Sequence, residues 1–226
     1  MHARILPDGL ISIRRYPLSL PKLLLQRTRK LRRLFAPELN YRCFSGDRIG
    51  SDAEFCDRIY TVAGLPCEYP KDKVCVLPSL IDVDTSSQDR QGAEARRALV
   101  IGQPLTGTGL LSSQDMEKIT AQIRDWLARR GITAIDYKAH PKDPARELCH
   151  PDYRLVDPAC ALESYMASTY YEAVIGVRST ALLFARQIYP RSVSVLAFGW
   201  DKVRFKSEQE HDDMRKAFSA SGIEFV

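Results

Sequence analysis

The sequence contains no apolar run approaching the roughly 20 residues that a membrane-spanning helix needs. The start Met1-His2-Ala3-Arg4 is not followed by an apolar core of the right length, so we expect no secretory leader. These two absences predict a chain without a membrane-spanning segment and argue against secretion. We therefore expect a cytoplasmic protein that folds in water.

Cysteine patterns typical of metal sites and of disulfide-rich domains are absent. The chain has six cysteines, none of them in a Cys-x-x-Cys pair, and no histidine lies at zinc-finger spacing from two of them. We predict free thiols in a reducing compartment, with a disulfide-bonded protein as the alternative. The cysteines are Cys43, Cys56, Cys67, Cys75, Cys149 and Cys160.

Acidic residues are almost missing between positions 14 and 42, where Glu38 is the only one. The formal net charge of the chain is +5, and this uneven distribution indicates an anionic partner. Ser19 as a cap and Pro21 in the first turn predict a basic amphipathic helix over residues 20–34. Three interpretations of this helix stay open: a solvated surface, a site for an acidic acceptor glycan, and peripheral contact with an anionic membrane.

The second half of the chain alternates short apolar runs with amphipathic segments from Ala98 onward. The continuous apolar runs indicate an α/β fold whose parallel sheet is covered on both faces. We predict an N-terminal domain at 1–96 that carries the basic helix, and a Rossmann-like domain at 97–226. Residues 40–73 look loop-rich, and 82–97 looks like a polar linker. The predicted strands are 2–6, 74–78, 98–102, 132–137, 173–177, 192–198 and 223–226, and the later helices are 112–130, 160–168, 180–188 and 208–220.

Two of the predicted strands end in loops that carry reactive side chains. The strand 132–137 runs into Lys138 and His140-Pro141, and the strand 173–177 ends just before Ser179-Thr180, where a helix begins. Ligands of open α/β sheets bind at the carboxyl ends of strands. A histidine there can exchange a proton near neutral pH, and a helix start capped by Ser179 can bind a phosphate. The alternatives are an ordinary loop histidine and an ordinary helix cap.

A third strand-end loop, Gly102 to Gly109, is rich in glycine. Its spacing fits neither a Walker-A loop nor a dinucleotide fingerprint, which excludes both kinds of nucleotide site. Gly102 and Gln103 can still line a ligand site. Glu163, in the predicted helix 160–168, can accept two hydrogen bonds from a ribose diol, and a solvated helix acid is the alternative.

Three short motifs stand in the order Pro7-Asp8-Gly9, His140-Pro141 and Ser179-Thr180. In this order they resemble the motifs of bacterial GT-B sialyltransferases, most closely the polysialyltransferase and lipooligosaccharide sialyltransferase group. The resemblance covers roughly residues 5–200. It implies that the Rossmann-like part is a GT-B donor-binding domain preceded by a truncated N-terminal part. A second pair, His150-Pro151, lies in a polar loop without a preceding strand, so we prefer His140.

What the resemblance implies is transfer of sialic acid from CMP-sialic acid to an acceptor glycan or glycolipid, with inversion and with neither a metal nor a cofactor. His140 would protonate, or donate a hydrogen bond to, the leaving phosphate of CMP, and Asp8 would remove the proton of the acceptor. A departing phosphate needs positive charge and donors, which an imidazole and a helix start supply. The implied donor-binding residues are Lys138, Pro141, Glu163, Ser179, Thr180, Gly102 and Gln103.

The sequence departs from this family at the first motif. Pro7 stands where the family usually has its general base, so only Asp8 is left for that role, and Asp-Gly turns are also common without catalysis. Few residues precede the motif, where GT-B enzymes have an acceptor domain. One hypothesis is therefore an active sialyltransferase, acting at the inner face of the membrane if the basic helix contacts it.

A second hypothesis is a non-catalytic or split relative that binds CMP or glycan and needs a partner for activity. The partner would be a separate N-terminal half or a second copy in a homo-oligomer. A third hypothesis, a basic nucleic-acid-binding module built on residues 14–42, has no recognised nucleic-acid motif beside the charge.

Overall fold

The computed structural model describes residues 3–6, 15–38, 42–62, 67–77 and 96–226. The chain divides into two compact units, Met1–Ser79 (unit 1) and Leu80–Val226 (unit 2). The predicted domain border at 96/97 stays a prediction, because the residues just before it lie outside the described ranges. All six cysteines are free thiols, as predicted.

Unit 1 contains a three-stranded parallel sheet in the order β1-β2-β3. Its central strand, β2, lies in a segment that the sequence predicted to be loop-rich. The buried side chains of Cys56 and Ile59 pack with Tyr69 into a small core. Asp57 and Arg58 interrupt the apolar pattern, and this hides the strand in the sequence. The strands are β1 (Ala3–Ile5), β2 (Cys56–Val62) and β3 (Val74–Leu77).

A buried carboxylate organises the loop before β2. Asp47 is fully buried and accepts hydrogen bonds from Arg15 Nε at 3.0 Å, from the backbone N–H of Ile49 at 3.0 Å, and from the hydroxyl of Ser51. Burial alone would raise the pKa of Asp47, but the hydrogen bonds from Ser51, Arg15 and Ile49 outweigh it and lower the pKa. The loop is therefore closed around one charged group whose acceptors are satisfied.

The basic segment of unit 1 forms α1 (Leu20–Arg29), which continues as a short 3₁₀ helix at Lys30–Leu34. The predicted basic helix is thus confirmed, and it carries Pro21 in its first turn. Ser19 precedes it in an extended conformation but makes no side-chain cap. In the part of the chain that the structure describes, no helix is long and apolar enough to cross a membrane.

Unit 2 contains a six-stranded parallel sheet in the order β6-β5-β4-β7-β8-β9. Numbered within the unit in chain order, the strands run 3-2-1-4-5-6, which is the Rossmann order, so the predicted Rossmann-like parallel sheet is confirmed. The strands are β4 (Arg97–Ile101), β5 (Ala134–Lys138), β6 (Arg154–Leu155), β7 (Ala173–Gly176), β8 (Ser194–Ala197) and β9 (Glu224–Phe225). The helices are α2 (Ser113–Arg129), α3 (Leu162–Ser168), α4 (Ala181–Ile188) and α5 (Glu208–Ser221).

The core of unit 2 forms because the strands are apolar on both sides and the helices on one. Every residue of β7 is buried, and α2 buries Ile119, Ile123 and Leu127 at helical spacing. The Ser112 hydroxyl caps α2 by accepting the N–H of Asp115 at 3.1 Å. Gly131 ends this segment with a φ of +64°, a conformation that glycine adopts without strain.

One buried carboxylate joins three segments of this sheet. The side chain of Asp136 in β5 accepts two hydrogen bonds from Arg154 in β6, at 2.7 and 2.8 Å. It also accepts one from the hydroxyl of Tyr171, just before β7, at 2.6 Å. The edge strand β6 is only two residues long, so this charged pair contributes much of what holds it in place.

Replacing Asp136 by Asn removes the charge that Arg154 and Tyr171 bind. We expect a loss of about 1.5–3 kcal/mol of unfolding free energy at pH 7, the range for hydrogen bonds to a charged group. The bonds from Arg154 and Tyr171 lower the pKa of Asp136 although burial opposes them. The stability that the Asp136 carboxylate contributes is therefore fully present above its pKa in the unfolded chain, about 4. It is lost as the pH falls through the lower pKa of Asp136 in the folded protein. Urea unfolding of unit 2 at pH 7 and at acid pH measures both effects.

The matched control is Asp201→Asn. Asp201 pairs with Lys202 at 2.8 Å at the surface, so its loss should change stability little. Equal losses in the two variants, or a penalty for Asp136→Asn that persists at acid pH, would contradict this role.

Candidate functional site

The carboxyl ends of β4, β5 and β7 lie side by side at one edge of the parallel sheet of unit 2. Strand β4 pairs with β5 on one side and with β7 on the other. The strand order reverses between β4 and β7, which is the position where open α/β sheets bind ligands. The loops after these strands begin with Gly102, Ala139 and Val177 and carry most of the predicted site residues.

His140 follows β5 directly and is half-buried. Its Nδ1 accepts a hydrogen bond from the backbone N–H of Lys142 at 3.0 Å. Because Nδ1 uses its lone pair in this bond, a neutral ring carries its proton on Nε2. His140 is thus held in the tautomer that can donate a hydrogen bond or a proton from Nε2.

The second His-Pro pair has a different place in the fold. His150 lies shortly before β6, so it precedes the amino end of a strand. Its Nδ1 accepts from the N–H of Asp152 at 3.3 Å, and the Asp152 carboxylate is 3.1 Å away. The preference for His140 agrees with this placement, because only His140 directly follows the carboxyl end of a strand.

The Ser179-Thr180 pair lies at the start of α4, as predicted, but the N-cap position is one residue later than predicted. Thr180 is the N-cap residue and makes no side-chain cap, whereas Ser179 was predicted to be the cap. The Ser179 hydroxyl oxygen accepts the N–H of Ala181 at 3.3 Å. The N–H groups of Leu182 and Leu183 bond to the carbonyls of Ser179 and Thr180. The hydroxyl hydrogens of Ser179 and Thr180 are therefore the side-chain donors that this turn can offer a ligand.

Gly102 and Gln103 connect the three loops to one another. The N–H of Gly102 donates to the carbonyl of Lys138 at 2.9 Å, and the side-chain oxygen of Gln103 accepts the N–H of Arg178 at 2.9 Å. A Cβ at Gly102 would lie 2.7 Å from Tyr137 Cζ and closer still to its hydroxyl, so only glycine fits. Both residues hold the edge together; their contact with a donor stays a prediction.

A carboxylate that the sequence analysis did not single out occupies the glycine-rich loop. The side chain of Glu147 accepts the N–H groups of Leu105 at 2.6 Å, Thr106 at 2.8 Å and Gly107 at 3.2 Å, and also the hydroxyl of Thr106. Burial alone would raise the pKa of Glu147, but the bonds from Thr106, Gly107 and Leu105 lower it. The loop is thus a nest for an anion that is already filled by the protein itself.

Glu147 also ties the His140 segment to this loop. Its backbone N–H donates to Asp143 Oδ2 at 2.8 Å, and the N–H of Asp143 donates to the carbonyl of His140 at 2.9 Å. The hydroxyl of Tyr137 donates to the carbonyl of Glu147 at 2.6 Å. Burial and the charge of Glu147 raise the pKa of Asp143. The position of His140 therefore depends on a chain of bonds that ends in the loop after β4.

Lys138 and Glu163 lie at the same edge. Lys138, the last residue of β5, forms an ion pair with Asp157 at 2.8 Å, and this bond and charge lower the pKa of Asp157. Glu163 lies half-buried in the first turn of α3, where no described residue donates a hydrogen bond to its side chain. Pro141 is exposed next to His140. The remaining predicted residue, Asp8, lies outside the described residues.

Metal ligation is not indicated in the described ranges, because no three side chains of His, Cys, Asp or Glu cluster there. The groups available at the edge are an imidazole, two hydroxyls, an ammonium and a carboxylate. This set can bind a phosphate and a sugar diol, and it can supply a proton.

A family model described as alpha-2,8-polysialyltransferase (POLYST) matches residues 73–197. No curated protein matches the chain. Among solved structures, Thermosulfurimonas dismutans KpsC, a beta Kdo 2,4 transferase, is similar at 15% identity and a TM-score of 0.34, over 56% of this chain and 46% of that one. A putative UDP-N-acetylglucosamine 2-epimerase from Listeria monocytogenes is similar at 13% identity and a TM-score of 0.36, over 67% of this chain and 45% of that one. This chain spans less than half the length of either protein.

Replacing Glu147 by Gln removes one of the two oxygens that accept from the glycine-rich loop. We expect the amide protons of Leu105, Thr106 and Gly107 to exchange with solvent about tenfold faster, the effect of losing one hydrogen bond to a charged group. The pKa of Glu147 is lowered, so the protection in the wild type should be lost as the pH falls through that lower value. Hydrogen exchange, corrected for intrinsic rates, measures this.

Glu117→Gln, at an exposed position of α2, is the matched control and should leave these amides unchanged. Unchanged protection in Glu147→Gln would show that the loop keeps its shape without the carboxylate.

Proposed function

This chain belongs to the alpha-2,8-polysialyltransferase family, and on that basis we propose that it transfers sialic acid from CMP-sialic acid to an acceptor glycan or glycolipid. The observation that supports the proposal is that His140 follows β5 and that Ser179 and Thr180 follow β7, the two strands that flank β4 where the strand order reverses. These three side chains follow strands on either side of β4. They supply donors of the kind that a leaving phosphate requires.

The donor phosphate would lie between the His140 imidazole and the start of α4. The hydroxyls of Ser179 and Thr180 would donate to its oxygens, and the helix adds partial positive charge. As the bond from the sialic acid carbon to the phosphate oxygen breaks, its electron pair moves to that oxygen. His140 would stabilise or protonate the oxygen through Nε2, the ring nitrogen that its bond to Lys142 leaves protonated.

The nucleoside end of the donor would lie towards β5 and α3. The Glu163 carboxylate has no donor among the described residues, which supports a role in accepting hydrogen bonds from the ribose diol. Lys138 and Pro141 would line the nucleotide on the β5 side, and Gly102 and Gln103 would line it at the switch point. In the reaction proposed here, side chains of the protein stabilise the charge of the leaving phosphate, and neither a metal nor a cofactor takes part.

The acceptor side of the reaction needs a base. An acceptor hydroxyl oxygen would attack the anomeric carbon from the face opposite the phosphate, with inversion, and its proton would pass to Asp8. Asp8 is the acid left in the first motif, since Pro7 stands at the other acidic position of the family.

Pro7 also supports a second candidate function, a relative that binds CMP or glycan but needs a partner for activity. In that case a separate N-terminal half, or a second copy, would supply the acceptor side. The cytoplasmic location predicted from the sequence fits either function and stays a prediction.

His140→Ala and Ser179→Ala should each weaken binding of CMP about tenfold or more, because each removes a hydrogen bond to a charged phosphate. Calorimetric titration with CMP measures the change in Kd. His150→Ala is the matched control, since this second His-Pro histidine lies before an amino end, and it should bind CMP like the wild type. Wild-type affinity in both His140→Ala and Ser179→Ala would place the nucleotide elsewhere.

Asp8→Asn distinguishes the two candidate functions. An active transferase should lose at least about a hundredfold in kcat, the usual contribution of a general base, while it keeps its affinity for CMP. Release of CMP from CMP-sialic acid, with and without an acceptor glycan, measures turnover. CMP binding without transfer or donor hydrolysis in the wild type would favour the non-catalytic relative.

A further inference from the structure

The segment from Leu20 to Phe35 presents an unusual amount of apolar surface to solvent. Six of the eleven large hydrophobic side chains that are exposed in the described residues fall in this short segment. Phe35 is 90% exposed and Leu20 and Leu34 are each 77% exposed, while no residue of α1 or of the 3₁₀ helix is buried. Contiguous exposed apolar surface of this kind marks an interaction site. The six side chains are Leu20, Leu24, Leu25, Leu31, Leu34 and Phe35.

Four of these side chains line one side of the helix. Leu20 and Leu24 are four residues apart in α1, and Leu31 and Leu34 are three apart in the 3₁₀ helix, where residues at that spacing coincide. We call these four leucines the exposed stripe. Gln26 lies on the other side, where its carbonyl accepts from Cys43 Sγ at 3.4 Å and its side-chain oxygen accepts the N–H of Phe44 at 3.2 Å. The helix is thus fastened to unit 1 by its polar side, and the exposed stripe faces away from those contacts.

The same segment is strongly cationic. Arg27 stands three residues after Leu24 and four before Leu31, and so lies on the same side of the helix as the exposed stripe. Arg29 and Arg32 are exposed farther round the helix. Residues 16–37 contain no acidic residue. The cations between these positions are Lys22, Arg27, Arg29, Lys30, Arg32 and Arg33.

We propose that α1 and the 3₁₀ helix lie on the surface of an anionic lipid bilayer. The exposed stripe would enter the boundary between head groups and acyl chains, and the arginines would stay at the level of the anionic head groups. A helical segment that carries leucines on one side and cations, but no acidic residue of its own, has the chemistry of a helix that lies in a membrane interface. This inference does not depend on the proposed transfer reaction, so either can fail alone.

Two other occupants fit these observations less well. A polyanionic glycan would pair with the arginines but would leave the exposed stripe in water. A second copy of the chain, packed stripe to stripe, would bring together the cations of two segments that carry no acidic residue of their own, and this would be repulsive. An anionic bilayer satisfies both the leucines and the arginines.

Vesicle flotation tests this proposal with the full chain. The wild type should float with phosphatidylcholine vesicles in which phosphatidylglycerol is about a third of the lipid, and it should stay unbound with phosphatidylcholine alone. The double variant Leu24→Ser/Leu31→Ser should bind about tenfold more weakly, because less apolar surface enters the bilayer. Arg29→Gln/Arg32→Gln should also bind more weakly and should lose much of the dependence on salt.

Leu155→Ser is the matched control, because Leu155 is 47% exposed on β6 and should not affect flotation. Thermal unfolding and circular dichroism establish that all variants are folded, as expected for substitutions at exposed positions. Equal flotation of wild type and Leu24→Ser/Leu31→Ser would overturn the proposal. Binding of a soluble polyanion without any flotation would point to a glycan, and self-association that the leucine variant abolishes would point to a second copy; each of these results also overturns it.

Discussion

The parallel pairing of β4 with β5 on one side and with β7 on the other is the constraint on which the rest of unit 2 depends. Because all three strands run in the same direction, the loops that follow them meet at one edge of the sheet. The loop after β5 carries His140 to this edge, and the loop after β7 carries Ser179 and Thr180. The proposed phosphate site draws on both loops, which follow the two strands that flank β4 at the place where the strand order reverses.

The Glu147 carboxylate determines what that edge can offer to a ligand. A glycine-rich loop after the first strand of a Rossmann sheet often binds a phosphate through its backbone N–H groups. Here those N–H groups bind Glu147 instead, and the loop becomes a support for the His140 segment. A phosphate at this edge must therefore rely on the imidazole and on the hydroxyls at the start of α4.

Local signals in the sequence were enough to predict most of unit 2. Apolar runs bounded by cap residues gave β4, β5 and β7, and Ser112 and Gly131 marked the ends of α2 to within a residue or two. Ser179 was predicted to be the N-cap residue of α4, whereas Thr180 holds that position. Local signals rarely place the end of a helix to a single residue. Strand β2 was missed because charged Asp57 and Arg58 interrupt its apolar pattern, although burial against β1 and β3 decides its conformation.

Long-range partners could not be predicted in the same way. Glu147 stands about 40 residues from the loop it fills, and nothing in its own neighbourhood indicates that contact. Strand β6 has two residues and no apolar run, so it is recognisable only once Arg154 pairs with Asp136. For the exposed stripe of α1 and the 3₁₀ helix, the local pattern could be predicted but the surroundings could not. Its amphipathic pattern is visible in the sequence, but only the structure shows that the apolar side faces outwards.

The most direct measurement of the central claim is a crystal structure of the protein with CMP bound. We expect a phosphate oxygen about 3 Å from His140 Nε2 and within hydrogen-bond distance of the hydroxyl of Ser179 or Thr180. We also expect Glu147 to remain bound to the N–H groups of the glycine-rich loop. A phosphate that displaces Glu147 from that loop, or a nucleotide bound away from the carboxyl ends of β4, β5 and β7, would contradict this site.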